Sequence, residues 1–257
     1  MKEAVLDVQS ISIAFGGIKA VTNLSFKVEK GQIVSLIGPN GAGKTTVFNL
    51  LTGVYRTQTG KIVFEGNEIH RLRPQEIVRQ GLSRTFQNIR LFSDMRVLEN
   101  VLTGTHIHTD YRLFQSTLKS KKFRHIEADN IKKCLELLYE LNLYNKKDEY
   151  AGSLPYGDQR KVEIARALAT GARVLLLDEP AAGMNPQESA ELLAFIRKLK
   201  SLGITVVLIE HDMQVVMNVS DYLYVLENGC LIAEGNAKQV STDKKVISAY
   251  LGGEVYA

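Results

Sequence analysis

Gly38-Pro39-Asn40-Gly41-Ala42-Gly43-Lys44-Thr45-Thr46 fits the pattern G-x-x-x-x-G-K-[ST], and its surroundings decide the fold. Upstream, Gln32-Ile33-Val34-Ser35-Leu36-Ile37 is a short apolar run rich in β-branched residues, as a buried strand should be. Downstream, Val47, Phe48, Leu50 and Leu51, followed by Gly53, read as a helix with a glycine stop. Strand, glycine loop and helix in that order predict a phosphate-binding loop. Glycines let the backbone curl so that several N–H groups converge on a phosphate, and the helix N-terminus adds its dipole. In such a loop Lys44 reaches the β- and γ-phosphates, and the Thr45 hydroxyl ligates Mg²⁺. Gly38, Pro39, Asn40, Gly41, Ala42, Gly43, Lys44, Thr45 and Thr46 are therefore the candidate nucleotide-binding set, with Mg²⁺ as its expected metal.

A second motif supports the nucleotide reading. Val174-Leu175-Leu176-Leu177 is an apolar run ending in Asp178-Glu179-Pro180. A buried parallel strand has this composition, with function at its carboxyl end. Asp178 is expected near the Mg²⁺, through water, and Glu179 is placed to polarise an attacking water.

The 257 residues suffice for one large domain or a domain with an insertion. A charged fraction of 23% marks an ordinary globular chain. A net charge of +4 is too weak to argue for nucleic acid, and none is expected as a partner. No apolar run reaches the length of a membrane span, and Met1-Lys2-Glu3-Ala4 does not open a signal peptide. The two cysteines, Cys134 and Cys230, lack any metal-binding spacing. Cys134 falls in a helical pattern and reads as a small core residue. The chain therefore reads as cytoplasmic and reduced.

The first part of the chain predicts β-structure: Val5–Val8, Ile11–Ile13, Leu24–Val28 and Ile62–Phe64, with turns expected at Glu29-Lys30-Gly31 and Thr59-Gly60. From about Gln87 to Ser153 the character changes. Thr103 to His125 is polar, with Arg112, Lys119, Lys121, Lys122 and Arg124, and the basic run Lys119–Arg124 reads as a solvated face. Ile131, Cys134, Leu135, Leu138 and Leu141 then repeat at helical spacing, so the region reads as a mainly helical insertion. Glu188–Leu202 predicts an amphipathic helix and Thr205–Ile209 another buried strand. Tyr222–Leu226 and Cys230–Ala233 predict a hairpin about Glu227-Asn228-Gly229.

The order of these motifs resembles the ATP-binding subunit of ABC transporters over almost the whole length. Phe15 lies upstream of the phosphate loop, where the family places an aromatic that stacks on adenine. Gln87, in Thr85-Phe86-Gln87-Asn88, matches the glutamine that reaches Mg²⁺ and the attacking water. Leu154-Pro155-Tyr156-Gly157-Asp158 stands where the family has its signature loop, which serves the partner subunit's ATP. Asp178 and Glu179 match the Mg²⁺-site aspartate and the catalytic base. Ala181-Ala182-Gly183-Met184-Asn185 matches the loop that meets the opposite subunit. His211 matches the histidine that contacts the γ-phosphate. The resemblance thus implies Glu179, His211 and Gln87 as catalytic and Thr45, Gln87 and Asp178 around Mg²⁺.

It also implies a fold: an α/β P-loop NTPase (RecA-like) ABC ATPase core with an N-terminal antiparallel β subdomain and an inserted α-helical subdomain. A single nucleotide-binding domain would span 1–257, with 1–86 and 160–257 as core plus β subdomain and 87–159 as helical signature subdomain. The signature loop departs from the family pattern Leu-Ser-Gly-Gly-Gln. Pro155 replaces the serine and lacks an N–H, Tyr156 replaces a glycine, and Asp158 replaces the glutamine. The variant is similar to that of the branched-chain amino acid importers. So are Arg84–Phe92, Glu179–Pro186 and the ending Ala249-Tyr250-Leu251-Gly252. That subfamily implies two transmembrane permease subunits, a second ABC ATPase subunit (heterodimer or homodimer) and an external substrate-binding protein. The chain would sit peripherally on the cytoplasmic face of the inner membrane. Ile89, Leu91, Phe92 and Met95 are either an exposed patch that meets the membrane subunits or packing inside the insertion. Related importers for urea, amides or other amino acids stay open. So do a soluble ATPase of translation or DNA repair and a regulatory module without turnover. The former would carry fused ATPase units or a long coiled coil, which are missing. The latter would lack Glu179, which is present.

Overall fold

The computed structural model describes residues 4–108 and 121–251. Two sheets carry the molecule. The first is antiparallel and ordered β2-β1-β4-β5, from β1 (Ala4–Phe15), β2 (Ile18–Glu29), β4 (Thr59–Phe64) and β5 (Asn67–Glu68). The second has six strands ordered β10-β9-β3-β8-β7-β6. They are β3 (Ile33–Ile37), β6 (Leu82–Arg84), β7 (Val174–Asp178), β8 (Thr205–Ile209), β9 (Tyr222–Glu227) and β10 (Cys230–Gly235). β9, β3, β8, β7 and β6 run parallel, and β10 returns antiparallel to β9.

The apolar runs are continuous because this sheet is buried on both faces, with successive side chains going to opposite sides. Val34, Leu36, Leu176, Val207 and Ile209 pack toward α1 (Lys44–Leu51) and the antiparallel sheet, in one core with Leu6, Val8, Phe48, Leu51 and Ile62. Ile33, Leu175, Leu177, Val206 and Leu208 face the other way. There they pack with α5 (Tyr156–Leu168), α6 (Pro186–Ser201) and α7 (Met213–Val219). The same core takes in Val97 and Val101 from α3 (Val97–Thr105) and Cys134 and Leu138 from α4 (Lys121–Glu140). Cys134 is thus a core residue. A short α2 (Pro74–Gln80) precedes β6, and α8 (Ala237–Thr242) and α9 (Lys244–Leu251) close the chain over Ile37, Leu223 and Val225.

The expected strands form where the pattern placed them, with two adjustments. The helix expected over Glu188–Leu202 begins at Pro186 because Asn185 caps it: its Oδ1 accepts from Glu188 N–H at 3.0 Å, and Glu188 Oε2 accepts from Asn185 N–H at 3.1 Å. Thr59-Gly60 is not a turn but the start of β4. Gly60 adopts φ +76°, and a Cβ there would lie 2.3 Å from the carbonyl oxygens of Gln9 and Ser10. The β1–β4 register shifts between Gln9 and Ser12. The glycine serves a bulge, which needs the same left-handed backbone as a turn. Where described, the region from Gln87 to Ser153 is mainly helical from Val97 onward, after an irregular stretch over 87–96. Most of the basic stretch, 112–120, lies outside the described residues.

Candidate functional site

β3, β8, β7 and β6 are neighbours in the sheet, so the four loops leaving their carboxyl ends stand in a row. They carry, in that order, the phosphate loop from Gly38, Glu210-His211, Asp178-Glu179 and Thr85-Phe86-Gln87. Segments distant in sequence are brought together by strand order alone.

The phosphate loop wraps the start of α1. Gly38, Gly41 and Gly43 have φ +149°, +81° and +98°. At two of them a side chain has no room: a Cβ on Gly38 would meet Leu226 O at 2.1 Å, and one on Gly43 would meet Ala20 O at 2.5 Å. Gly43 is the N-cap of α1 and offers no side chain to cap it, so the first N–H groups of the helix are open to an anion. Lys44 is buried, and its Nζ donates to Gly38 O at 2.7 Å and Pro39 O at 2.9 Å, leaving one of three N–H groups for a ligand oxygen. Burial pushes the Lys44 ammonium below its ordinary pKa, while the charges of Glu179 and Asp178 offset part of that. Residues 40–46 line a pocket of about 410 Å³ with Ile18, Lys19, Ala20, Asn228 and Glu179. Phe15 pairs with Ile18 at the end of the β1–β2 hairpin. It is 43% exposed and makes a T-shaped contact with Tyr55 at 5.0 Å, and it stands beside that pocket without lining it.

Glu179 begins where β7 ends. It is held at φ +44°, a left-handed conformation costly for a residue with a side chain. Its N–H donates to Ile209 O at 2.9 Å, which ties the strained residue to β8. Its Oε2 accepts from Gln87 Nε2 at 2.9 Å and lies 3.9 Å from His211 Nδ1. Gln87, Glu179 and His211 are thus brought together. Asp178 is buried, and its Oδ2 accepts from Arg84 Nη2 at 2.6 Å. Glu210 is buried beside His211 and accepts the Ala181 N–H at 3.0 Å, fixing the loop 181–185. Burial pushes the Glu210 carboxyl up; the Ala181 N–H and the neighbouring His211 offset part of it.

Arg84 and Glu210 were missed by sequence reading. Arg84 donates to Asn49 Oδ1 at 2.6 Å as well as to Asp178, and lies over the rings of Phe48 and Phe86, 5.4 Å from each. The available signal was a charged residue ending an apolar strand beside the Gln87 motif.

The signature-loop residues lie elsewhere: none of 154–158 lines the phosphate-loop pocket. Leu154 is buried, Pro155 is the N-cap of α5, one residue earlier than a first-turn proline, and Tyr156 is 40% exposed. Asp158 faces its own chain, bound to Lys146 and, at 3.3 Å, to Lys161. Burial would raise its carboxyl, but the Lys146 hydrogen bond and the Lys161 charge hold it below the usual carboxylate range. The apolar set after Gln87 divides. Phe92 and Met95 are exposed, whereas Leu91 packs on the helical core and Ile89 is half-buried. Phe86 and Phe92 line a groove of about 430 Å³ with Arg84, Gly104, Glu163 and Arg166.

The family profile described as "ABC transporter" matches residues 21–182. The chain belongs to the ABC transporter ATP-binding family. A second profile, the branched-chain amino acid ATP-binding cassette transporter, matches residues 230–256 of the cassette. The cassette is 46% identical over 253 residues to the high-affinity branched-chain amino acid transport ATP-binding protein BraF of Pseudomonas aeruginosa, covering 98% of this chain and 99% of that one. It is 43% identical, with the same coverage, to LivG of Escherichia coli K12, which carries the same description. Among solved structures it is similar to the ADP conformation of MJ1267, an ATP-binding cassette of an ABC transporter: TM-score 0.86, 36% identity, 98% and 100% of the two chains. As a member of the family the cassette is a nucleotide-binding ATPase. Among its described residues no helix is long and apolar enough to cross a membrane.

The residues present fit MgATP. The cradle at Gly38 and Gly43 excludes a Cβ, the start of α1 is uncapped, and Thr45, Gln87 and Asp178 are oxygen donors of the kind Mg²⁺ takes. Among the described residues no group of three or more His, Cys, Asp or Glu could hold a metal without the nucleotide's help.

Proposed function

We propose that this cassette hydrolyses MgATP to drive uptake of branched-chain amino acids through two transmembrane permease subunits. The row of four loops at neighbouring strand ends carries the catalytic part of the reading. Kinship along the full length to BraF and LivG supports the cargo. ATP lies along residues 38–46 with adenine on Phe15. Thr45, Gln87 and Asp178 would hold Mg²⁺, which supplies charge neutralisation at the transferring phosphate. Lys44 and His211 meet the γ-phosphate. Glu179 takes the proton of the attacking water, with its carboxylate aimed by Gln87.

The signature loop 154–158, on the helical subdomain 87–159, closes on the ATP of a second ATPase subunit. That subunit is a relative or another copy, and the loop 181–185 meets it. Pro155 offers no hydroxyl, so the N-terminus of α5 would carry the contact. The groove beside Phe86 and Phe92 would receive the permease. In this reading the cassette sits peripherally on the cytoplasmic face of the inner membrane, with an external binding protein delivering cargo. The test is reconstitution of the complex co-purified with this chain in vesicles containing ATP. Uptake of labelled leucine, isoleucine and valine is expected, and it should be abolished by Glu179→Gln. A complex that takes up only other amino acids or amides would overturn the cargo, and one without membrane subunits would overturn the transport role.

A further inference from the structure

Arg160 and Glu163 touch neither the phosphate-loop pocket nor Glu179, although Glu163 reaches the edge of the Phe86 groove, and they form a fully buried ion pair: 0% and 2% exposed, 2.7 Å apart. Both lie on α5, one turn apart, and therefore on one face. Arg160 follows the signature loop by two residues. What the pair grips is backbone. Arg160 Nη1 donates to Phe86 O at 2.7 Å and Nη2 donates to Gln87 O at 2.6 Å. Glu163 keeps its Oε2 on Arg160 and accepts the Arg90 N–H on Oε1 at 3.2 Å. Three backbone groups of the loop that follows β6 are thus fixed from one helix face.

That loop has no regular structure of its own, and Gln87 is exposed, so packing does not hold its side chain where it meets Glu179. The planar guanidinium does, because its donors point in fixed directions at two successive carbonyls. A purely structural role explains the pair poorly. A buried ion pair contributes little net stability compared with an apolar pair of the same volume.

We propose that Arg160, held by Glu163, is a positioning residue for Gln87 that makes the signature loop and Gln87 move as one body. A continuous path then runs from the start of α5 through Arg160 to the Gln87 backbone, and through the Gln87 amide to Glu179. Engagement of residues 154–158 by the partner's nucleotide is felt at this chain's own catalytic glutamate. The inference rests on the role proposed above for Gln87.

The test uses the full chain in the assembled transporter. Arg160→Lys keeps the charge beside Glu163 but cannot span both carbonyls. It should lower kcat about tenfold or more, since small displacements of positioned groups have effects of that size. The KM for ATP should stay within about twofold, because the phosphate loop is untouched. Arg160→Met with Glu163→Met should keep a near-native melting temperature and show the same loss of kcat. In a Gln87→Ala background, Arg160→Lys should cost nothing further, because both changes remove one unit. A native kcat in Arg160→Lys beside an impaired Gln87→Ala overturns the positioning role alone. So does a loss that multiplies with that of Gln87→Ala. A native kcat in Gln87→Ala overturns the reading of Gln87 and this inference with it.

Discussion

Arg84→Met should destabilise the cassette in a way that cation and nucleotide partly repair. Arg84 and Asp178 are 7% and 6% exposed at their side chains and meet at 2.6 Å. Removing the guanidinium leaves the Asp178 carboxylate buried without a partner, a change that costs about 3–5 kcal/mol in comparable pairs. The lost donation to Asn49 and the contacts with Phe48 and Phe86 act in the same direction. For a domain of this size each kcal/mol is worth about 2–4 °C, so the melting temperature should fall by roughly 10 °C. MgADP at a hundredfold excess over its Kd should return about 2.7 kcal/mol by linkage, and more if Mg²⁺ supplies the charge that Arg84 did. Replacing both partners, as Arg84→Met with Asp178→Leu, should recover most of the stability and leave MgADP only its linkage term, because no buried carboxylate is left for Mg²⁺ to compensate. Circular dichroism melts with and without MgADP read the native chain and both variants. A shift under about 2 °C for Arg84→Met, set against the expected size, refutes the argument, as does a double variant less stable than the single one.

Three further outcomes are expected. Glu179→Gln should lower phosphate release by the assembled transporter about a hundredfold or more while ATP still binds, since an amide cannot accept the proton; near-native turnover would remove the base from Glu179. Burial raises the folded pKa of Glu210 above its ordinary 4.5, so its contribution to stability is full below 4.5 and fades as pH rises through the raised value. Melting temperatures of Glu210→Gln should therefore gain on the native chain as pH is raised from 4.5, and parallel curves would contradict this. Burial pushes the Cys134 thiol up to about 11, whereas Cys230 is exposed, so iodoacetamide at mild alkaline pH should label Cys230 first, as read by mass spectrometry of peptides. Equal rates would mean that Cys134 is reached from solvent.

The parts of the site legible in the sequence are those whose chemistry is local. The phosphate loop needs glycines and a lysine at fixed spacing, and the strands beneath it need unbroken apolar runs. Both can be read without knowing what lies opposite. Arg84 could not be read this way, because its partners are Asn49, early in the chain, and Asp178, on the neighbouring strand. Arg160 and Glu163 were hidden for the opposite reason: charged residues at helical spacing ordinarily mean a solvated face. Gly60 misled because one left-handed glycine serves a turn or a bulge equally well. The strain at Glu179 leaves no trace in a run of Asp-Glu-Pro. It follows from where β8 holds the peptide.

The strand order has a consequence for how the chain is made. β1, β2, β4 and β5 all lie before residue 69, so the antiparallel sheet can assemble while the rest is still on the ribosome. β3 cannot join in. Its two neighbours, β8 and β9, begin at Thr205 and Tyr222, so Ile33–Ile37 emerges without a partner. At about 5–20 residues per second that wait lasts on the order of 10–30 s. β6 waits likewise for β7. The strand that launches the phosphate loop is thus among the first apolar segments synthesised and among the last to be paired. The nascent cassette needs shelter for that strand during translation, and destabilising β8 or β9 should reduce yield in the cell more than it reduces the stability of molecules already folded.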